Sequence, residues 1–422
     1  MLAALSNAFK IPDLRRKIFY TLALLLVFRV GTHVPVPGVD ARALAEGLNI
    51  EGGGIFGFLD MFAGGALSRF SVFAMGVGPY ITASIILQLL TVVIPSLEAL
   101  AKEGPEGRRK LQNYTRYGTV VLGIVQSFGT TMLARNYGVL KFPSFGGVAL
   151  IVTTLTAGTV FLMWLGEKIS ENGLGNGVSL IIFTGIVARL PASTYLTIRS
   201  VGEGGLNPLS FIVFMILAVV VIGGVILIQE GQRRIPVQYA KRVVGRRVYG
   251  GQSTYIPLRV NQAGVMPVIF ASSVLTFPLT LAQFIPAISG IERWLGVGTV
   301  GYNILYVVLT IFFTYFYTAV TFDPKDIADN MKKHGGFIPG LRPGKPTTQY
   351  LEKVLTRITL VGAIFLALIA VSPYLMASIT RVPMNLFYFG GTGLLILVGV
   401  ALDTMKQIEA HLVMRHYEGF MS

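Results

Sequence analysis

Ten apolar segments, most close to twenty residues long, run through the chain at 18–34, 72–94, 117–134, 148–166, 178–197, 210–229, 264–286, 302–321, 355–376 and 385–402. A helix needs about 20 mostly apolar residues to cross the hydrocarbon core of a bilayer. There it satisfies all its backbone polar groups internally. Charged residues make up 13% of the chain and hydrophobic residues 53%. A soluble domain carries about 25% charged residues, so this chain cannot cover a water-facing surface. The pattern predicts an all-α polytopic membrane protein with ten transmembrane helices. An even count puts both termini on one side. Residues 1–17, with Arg15, Arg16 and Lys17 after an apolar stretch, read as an interfacial helix, and no small-residue cleavage site follows the first apolar run.

Orientation follows from the basic residues. Of the 35 lysines and arginines, 26 fall on the set of connections that includes both termini, eight on the other set, and Arg29 near a helix end. The rule that basic loops stay inside makes the first set, and both termini, cytoplasmic. A net charge of +15 on such a body also suits contact with anionic lipids.

Two stretches echo each other: Gly76-Val77-Gly78-Pro79-Tyr80-Ile81-Thr82-Ala83-Ser84 and Gly264-Val265-Met266-Pro267-Val268-Ile269-Phe270-Ala271-Ser272. They open spans two and seven. Segments five spans apart cross the bilayer in opposite senses, so the echo marks two inverted, pseudo-symmetric halves of five helices, an architecture that places a pathway between the halves at the midplane. The halves are expected at 18–200 and 201–402, with a cytoplasmic tail at 403–422.

Between spans one and two lies an apolar, glycine-rich stretch, about 55–70, too short to cross. Exposed to water it would be an unexplained apolar patch. It reads instead as a re-entrant half-helix, tolerated at membrane depth where protein or a cavity surrounds it. Gly64 and Gly65 weaken the helix and provide a hinge.

Two cytoplasmic connections are long and basic, at about 230–261 and 322–353. Loops that long without a function are uncommon, so both are expected to dock a cytoplasmic partner. The first alternates polar and apolar residues around Gly250-Gly251, as a hairpin would. Catalytic signals are missing. There is no cysteine, no metalloprotease, nucleophile-elbow or phosphate-loop pattern, and Glu167, Glu230, Asp323 and Asp403 sit at span ends. An ion-coupled carrier keeps ionisable groups within the membrane, so a secondary transporter of a small solute is the weaker alternative. No enzyme activity and no cofactor are expected.

The midplane offers isoleucine. Ile81 and Ile269 occupy matching repeat positions, Ile85 lies one turn beyond Ile81 on the same face, and Ile182, Ile186 and Ile396 fall at similar depth in spans five and ten. A ring of them would exclude water and ions by dewetting, yet part around a chain.

Motifs along nearly the whole sequence carry a family resemblance: Ile11-Pro12-Asp13-Leu14-Arg15-Arg16-Lys17-Ile18, Pro35-Val36-Pro37-Gly38, Pro79 to Leu90, Glu103-Gly104-Pro105-Glu106-Gly107-Arg108-Arg109-Lys110, Gly175-Asn176-Gly177, Phe337-Ile338-Pro339-Gly340-Leu341-Arg342-Pro343-Gly344 and Gly390-Gly391-Thr392. The chain resembles the bacterial SecY family, central subunits of protein-translocation channels. The resemblance implies a clamshell hinged near the connection of spans five and six. Its pore ring would be Ile81, Ile85, Ile182, Ile186, Ile269 and Ile396, with Met266 where the family often has another isoleucine. Phe58, Leu59, Met61, Phe62 and Leu67 would belong to a plug. A lateral gate would lie between spans two and three and spans seven and eight, with Gln88 and Asn261 as polar latches. Arg233, Arg234, Lys241, Arg242, Arg246, Arg247 and Arg342 would dock SecA or a ribosome. SecE and SecG would be membrane partners, signal sequences and nascent secretory or membrane chains the cargo, and the bacterial inner membrane the location.

Overall fold

In the computed structural model, residues 9, 11–47, 57, 60, 62–239, 242–244, 247–249, 253–284, 290, 294–296, 298–380 and 391–418 are described. Each expected apolar segment carries a helix. Span one is Pro12–Gly31, span two Gly78–Val93, span three Pro105–Asn136, span four Phe145–Asn172 and span five Gly177–Gly202. Span six is Pro208–Glu230, span seven Met266–Phe284, span eight Val300–Thr321, span nine Lys345–Thr380 and span ten Gly391–Glu418. Among the described residues, spans three to six, eight and nine are long and apolar enough to cross a membrane. Span two joins them if it is counted together with Pro95–Lys102.

Local chemistry sets the helix ends. Ile94 precedes Pro95 and adopts φ −100°, ψ 112°, the extended geometry that proline forces on its predecessor. The chain there turns through 101°. At the start of span five, Gly175 takes φ +76° and Asn176 caps the helix by accepting from the Ser179 amide at 3.1 Å.

The same packing pattern occurs twice. In the first half, span two lies on three, three on four and four on five, while span one rests on four and five. In the second, seven lies on eight, eight on nine and nine on ten, while six rests on nine and ten. Adding five to each number converts one set into the other. Between the halves, span two meets span seven and span five meets span ten, the pairings that a pseudo-two-fold axis maps onto themselves.

The structure departs from expectation in three places. Residues 12–17 are the first turns of the span-one helix rather than part of a separate interfacial helix; Pro12 starts it, because proline's fixed φ and missing N–H suit the first helical position. The helical body carries strands in its two long basic connections: β1 (Gln232–Tyr239), β2 (Arg242–Val244), β3 (Arg247–Tyr249), β4 (Ser253–Arg259) and β5 (Gly336–Phe337). The β1–β4 and β2–β3 ladders share one antiparallel register, so the ribbon reverses between Val244 and Arg247 rather than around Gly250-Gly251.

The two long basic connections also form one module. β5 pairs with β1 through Gln238 and Phe337, giving the strand order β4-β1-β5. Ile235, Val237 and Leu258 from the first connection pack with Phe322, Met331 and Ile338 from the second and with Leu351 at the start of span nine. Alternation along β1 buries Ile235 and Val237 while Arg234, Pro236 and Gln238 face out, and Arg233 is exposed at the start of the strand.

Candidate functional site: an apolar seam closed by a short segment

The site lies where the halves meet. Spans two, five, seven and ten each contribute to one hydrophobic cluster that includes Ile85, Ile182, Ile186, Ile269 and Ile396, with Ile81 partly buried against it. Ile396 is 0% exposed and Ile182 1%. Met266 also packs against the cluster. All six isoleucines named from the repeat and the resemblance belong to this core or pack against it, together with residues of spans one, four, six, eight and nine.

The segment between spans one and two reaches the same cluster. Phe62, Ala63 and Ala66 pack into it. Leu67 points elsewhere, into a second cluster with Val36, Leu44, Phe70, Ala134 and Ile151. Phe58, Leu59 and Met61 lie outside the described residues. Among the described residues of this segment, helix ends at Phe62 and turns run from Ala63 to Phe70. The expected half-helix is therefore shorter than 55–70. Gly64 and Gly65 end it with φ +67° and +86°, values that L side chains rarely adopt.

Four polar contacts hold this segment, and sequence reasoning missed them. The Asp60 carboxylate, fully buried, pairs with Arg189 of span five. It also accepts from the Leu67 and Ser68 amides at 2.8 and 2.9 Å. The Arg29 guanidinium of span one donates to the Gly64 carbonyl at 3.0 Å. Gly64 meets Gly185 of span five so closely that a Cβ on Gly64 would sit 2.8 Å from the Gly185 Cα. The available signal was charge at an unusual place: Arg189 falls inside an apolar span and Asp60 inside an apolar stretch, where ionisable residues are functional by default. Grouping Arg189 with the loop charges hid it.

At the side of the seam, span seven packs against spans two and three. Gln88 is half-buried and donates to Ser84 of its own helix at 3.2 Å. Asn261 is buried and donates to the Gly264 carbonyl at 2.9 Å. No hydrogen bond joins the two among the described residues, so a latch between them is not formed in this state. Arg116 of span three grips Glu167 of span four through Nε and Nη2, one edge of its guanidinium, at 2.8 to 3.1 Å, and Gln112 adds a third donor.

On the module built by the two basic connections, Arg233 and Arg234 are exposed on β1, and Arg234 lies over the Tyr255 ring at 4.8 Å. Arg342 is exposed in the turn before span nine, its carbonyl accepting from Thr347 at 2.9 Å. Arg242 and Arg247 sit on β2 and β3. Lys241 and Arg246 lie outside the described residues. No grouping of three or more histidine, aspartate or glutamate side chains with metal-site geometry occurs among the described residues.

A two-halved helical membrane protein with an apolar seam at its centre, closed by a re-entrant segment, defines a gated channel body rather than an enzyme. The SecY family model matches residues 71–405. The protein translocase subunit SecY of Thermotoga maritima is 48% identical, the alignment covering 100% of this chain and 98% of that one. Two solved structures share the fold. One is described as a protein conducting channel, with TM-score 0.70, 20% identity, and 94% and 93% of the two chains covered. The other is Sec61 in a canine ribosome-channel complex, with TM-score 0.65, 18% identity and the same coverage. The chain belongs to the SecY family.

Proposed function

We propose that this chain is the central, pore-forming subunit of a protein translocase, passing unfolded secretory proteins across the membrane and releasing transmembrane segments sideways. The observation that carries this reading is that, where the halves pack through spans two and seven and spans five and ten, isoleucines of those four spans are part of or pack against the same apolar core that receives Phe62, Ala63 and Ala66. A ring of these aliphatic side chains would form a constriction that repels water and ions. It has no directional bonds to break when an unfolded chain enters.

In this reading Ile81, Ile85, Ile182, Ile186, Ile269 and Ile396 are the pore ring, and the segment around Asp60–Phe70 is the plug. Translocation displaces the plug outward. Lateral release parts spans two and three from spans seven and eight. A signal sequence has an apolar core of about 7–15 residues. Its burial contributes roughly 0.8 kcal/mol per CH₂, enough to compete with separating two packed helix faces. The chain itself is passive, and the driving force comes from outside.

The cytoplasmic module is the docking surface for that force. Arg233, Arg234 and Arg342 are exposed on one folded unit, and Arg242 and Arg247 sit on its ribbon; Lys241 and Arg246 add to its charge in the sequence. Such a surface suits ribosomal RNA, whose phosphates attract clustered arginine and lysine. It also suits an acidic face of a motor ATPase such as SecA. The ribosome-bound Sec61 relative favours the first partner. SecE- and SecG-type subunits would cover exposed apolar helix faces, and the basic connections would place both termini on the cytoplasmic side of a bacterial inner membrane.

Reconstitution tests the reading. Proteoliposomes holding this chain, a SecE-type subunit and SecA should import an unfolded secretory protein with its signal sequence and exclude the same protein without it. Failure to import, in vesicles where a relative's channel imports under the same conditions, would overturn it.

A further inference from the structure

Asp60 is the centre of an ion pair that the apolar plug does not need for packing. Its carboxylate is 0% exposed and sits in the segment that reaches the isoleucine cluster. One oxygen, Oδ1, accepts the amides of Leu67 and Ser68, and the Gly65 amide bonds the Asp60 carbonyl at 3.0 Å. Those three bonds close residues 60–68 into one compact loop. The other oxygen, Oδ2, pairs with the Arg189 guanidinium. Arg189 also donates to the Ser68 hydroxyl at 3.3 Å and lies over Gly65, where a Cβ would come within 3.3 Å of Nε.

A second cation reinforces the first. Arg29 of span one donates to the Gly64 carbonyl, so the loop is held from spans one and five together. Between these anchors Gly64 and Gly185 touch backbone to backbone, a fit that only glycine on both sides allows. At the loop's far end Arg69 reaches His33 at 2.6 Å, and buried Phe70 has φ +41°, a strained conformation for a bulky residue.

We propose that Asp60 and Arg189 form a releasable electrostatic latch that holds the plug closed on span five and sets how strong a signal must be to open the channel. This rests on the plugged-channel reading above. A buried ion pair is a poor device for raw stability, because desolvating the two charges offsets most of their attraction. It is a good device for a switch. The cost of the orphaned charge falls wherever one partner is removed, and water entering a parted seam solvates both charges at once. Opening the seam therefore weakens the latch, and closing it restores the latch.

The test uses Asp60→Asn, Arg189→Leu and the double variant Asp60→Asn/Arg189→Leu, each in the full translocase. The readouts are passive ion leak in proteoliposomes and import of a secretory protein whose signal core carries one lysine. Each single variant should raise leak by at least about tenfold and raise import of the weakened-signal substrate above the near-zero level of the unaltered channel. The double variant should leak no more than the leakier single one, because no charge is left orphaned. A merely misfolded channel loses import of both substrates, so gain on the weak signal separates latch release from damage. Unchanged leak, loss of import in both single variants, or leaks that multiply in the double variant would each overturn the latch. If the unaltered channel imports nothing at all, the channel reading itself has failed, an outcome distinct from these.

Discussion

Replacing Gly185 with alanine isolates the contact between plug and channel wall. Gly185 lies inside the span-five helix, where alanine is the better residue by about 1 kcal/mol. That gain is the same whether the plug is docked or displaced, so it cancels from the gating equilibrium. The docked state alone meets the new methyl. A Cβ at this position would lie 3.0 Å from the Gly64 Cα and 3.1 Å from its nitrogen. Both atoms are backbone and cannot swing aside. Overpacking of this kind costs about 1–3 kcal/mol, and each 1.4 kcal/mol is about tenfold in population, so the displaced plug should gain roughly 5- to 150-fold. Ion conductance of reconstituted channels in a planar bilayer reads this directly. Gly64→Ala should leak more than Gly185→Ala, because Gly64 also has φ +67°, which costs about 1–2 kcal/mol in an L residue. A Gly185→Ala channel with the leak and the melting profile of the unaltered protein would refute the reasoning.

Further outcomes follow from the same geometry. Deleting residues 60–68 should raise ion leak in vesicles, and a tight channel after the deletion would rule out a sealing role. Arg342→Glu should lower secretion without lowering membrane abundance, measured by pulse-labelling and immunoblot, because Arg342 is exposed and its bond from Thr347 runs to its carbonyl, which the substitution keeps. Arg116→Ala should destabilise the detergent-solubilised protein by about 2 kcal/mol in a thermal-shift assay, since it strands the buried Glu167 carboxylate. That is below the 3–5 kcal/mol typical of a wholly buried pair, because Arg116 remains 39% exposed. Arg116→Lys should recover part of the loss.

Much of this architecture was legible because membranes impose simple rules. Length and apolarity locate all ten helices, and the echo of Gly76–Ser84 in Gly264–Ser272 anticipates the doubled packing pattern. The echo itself pairs only Ile81 with Ile269, while Ile85, Ile182, Ile186 and Ile396 come from helix position and the family resemblance. Nonlocal pairings were not legible. Phe337 joins Gln238 across about a hundred residues, and no local pattern announces that two basic connections share a sheet. Gly250-Gly251 looks like a turn by composition, but the shared register of two ladders places the reversal five residues earlier. The plug's anchorage was hidden for a different reason. Asp60, Arg189 and Arg29 are single charges in apolar surroundings, and a hydropathy window averages them away. Only the fold shows that they meet.

The central claim is that an unfolded chain passes through the isoleucine cluster. The sequence contains no cysteine, so one introduced thiol reports from one place. Ile81→Cys, Ile182→Cys and Ile396→Cys should each form a disulfide with a cysteine placed mid-chain in a secretory protein stalled during transport. A cysteine at Leu227, 74% exposed on the outer face of span six, should form none. Adducts at the three cluster positions and not at Leu227 are the expected result. No adduct at any of the three, with the stalled chain demonstrably inserted, would contradict the account.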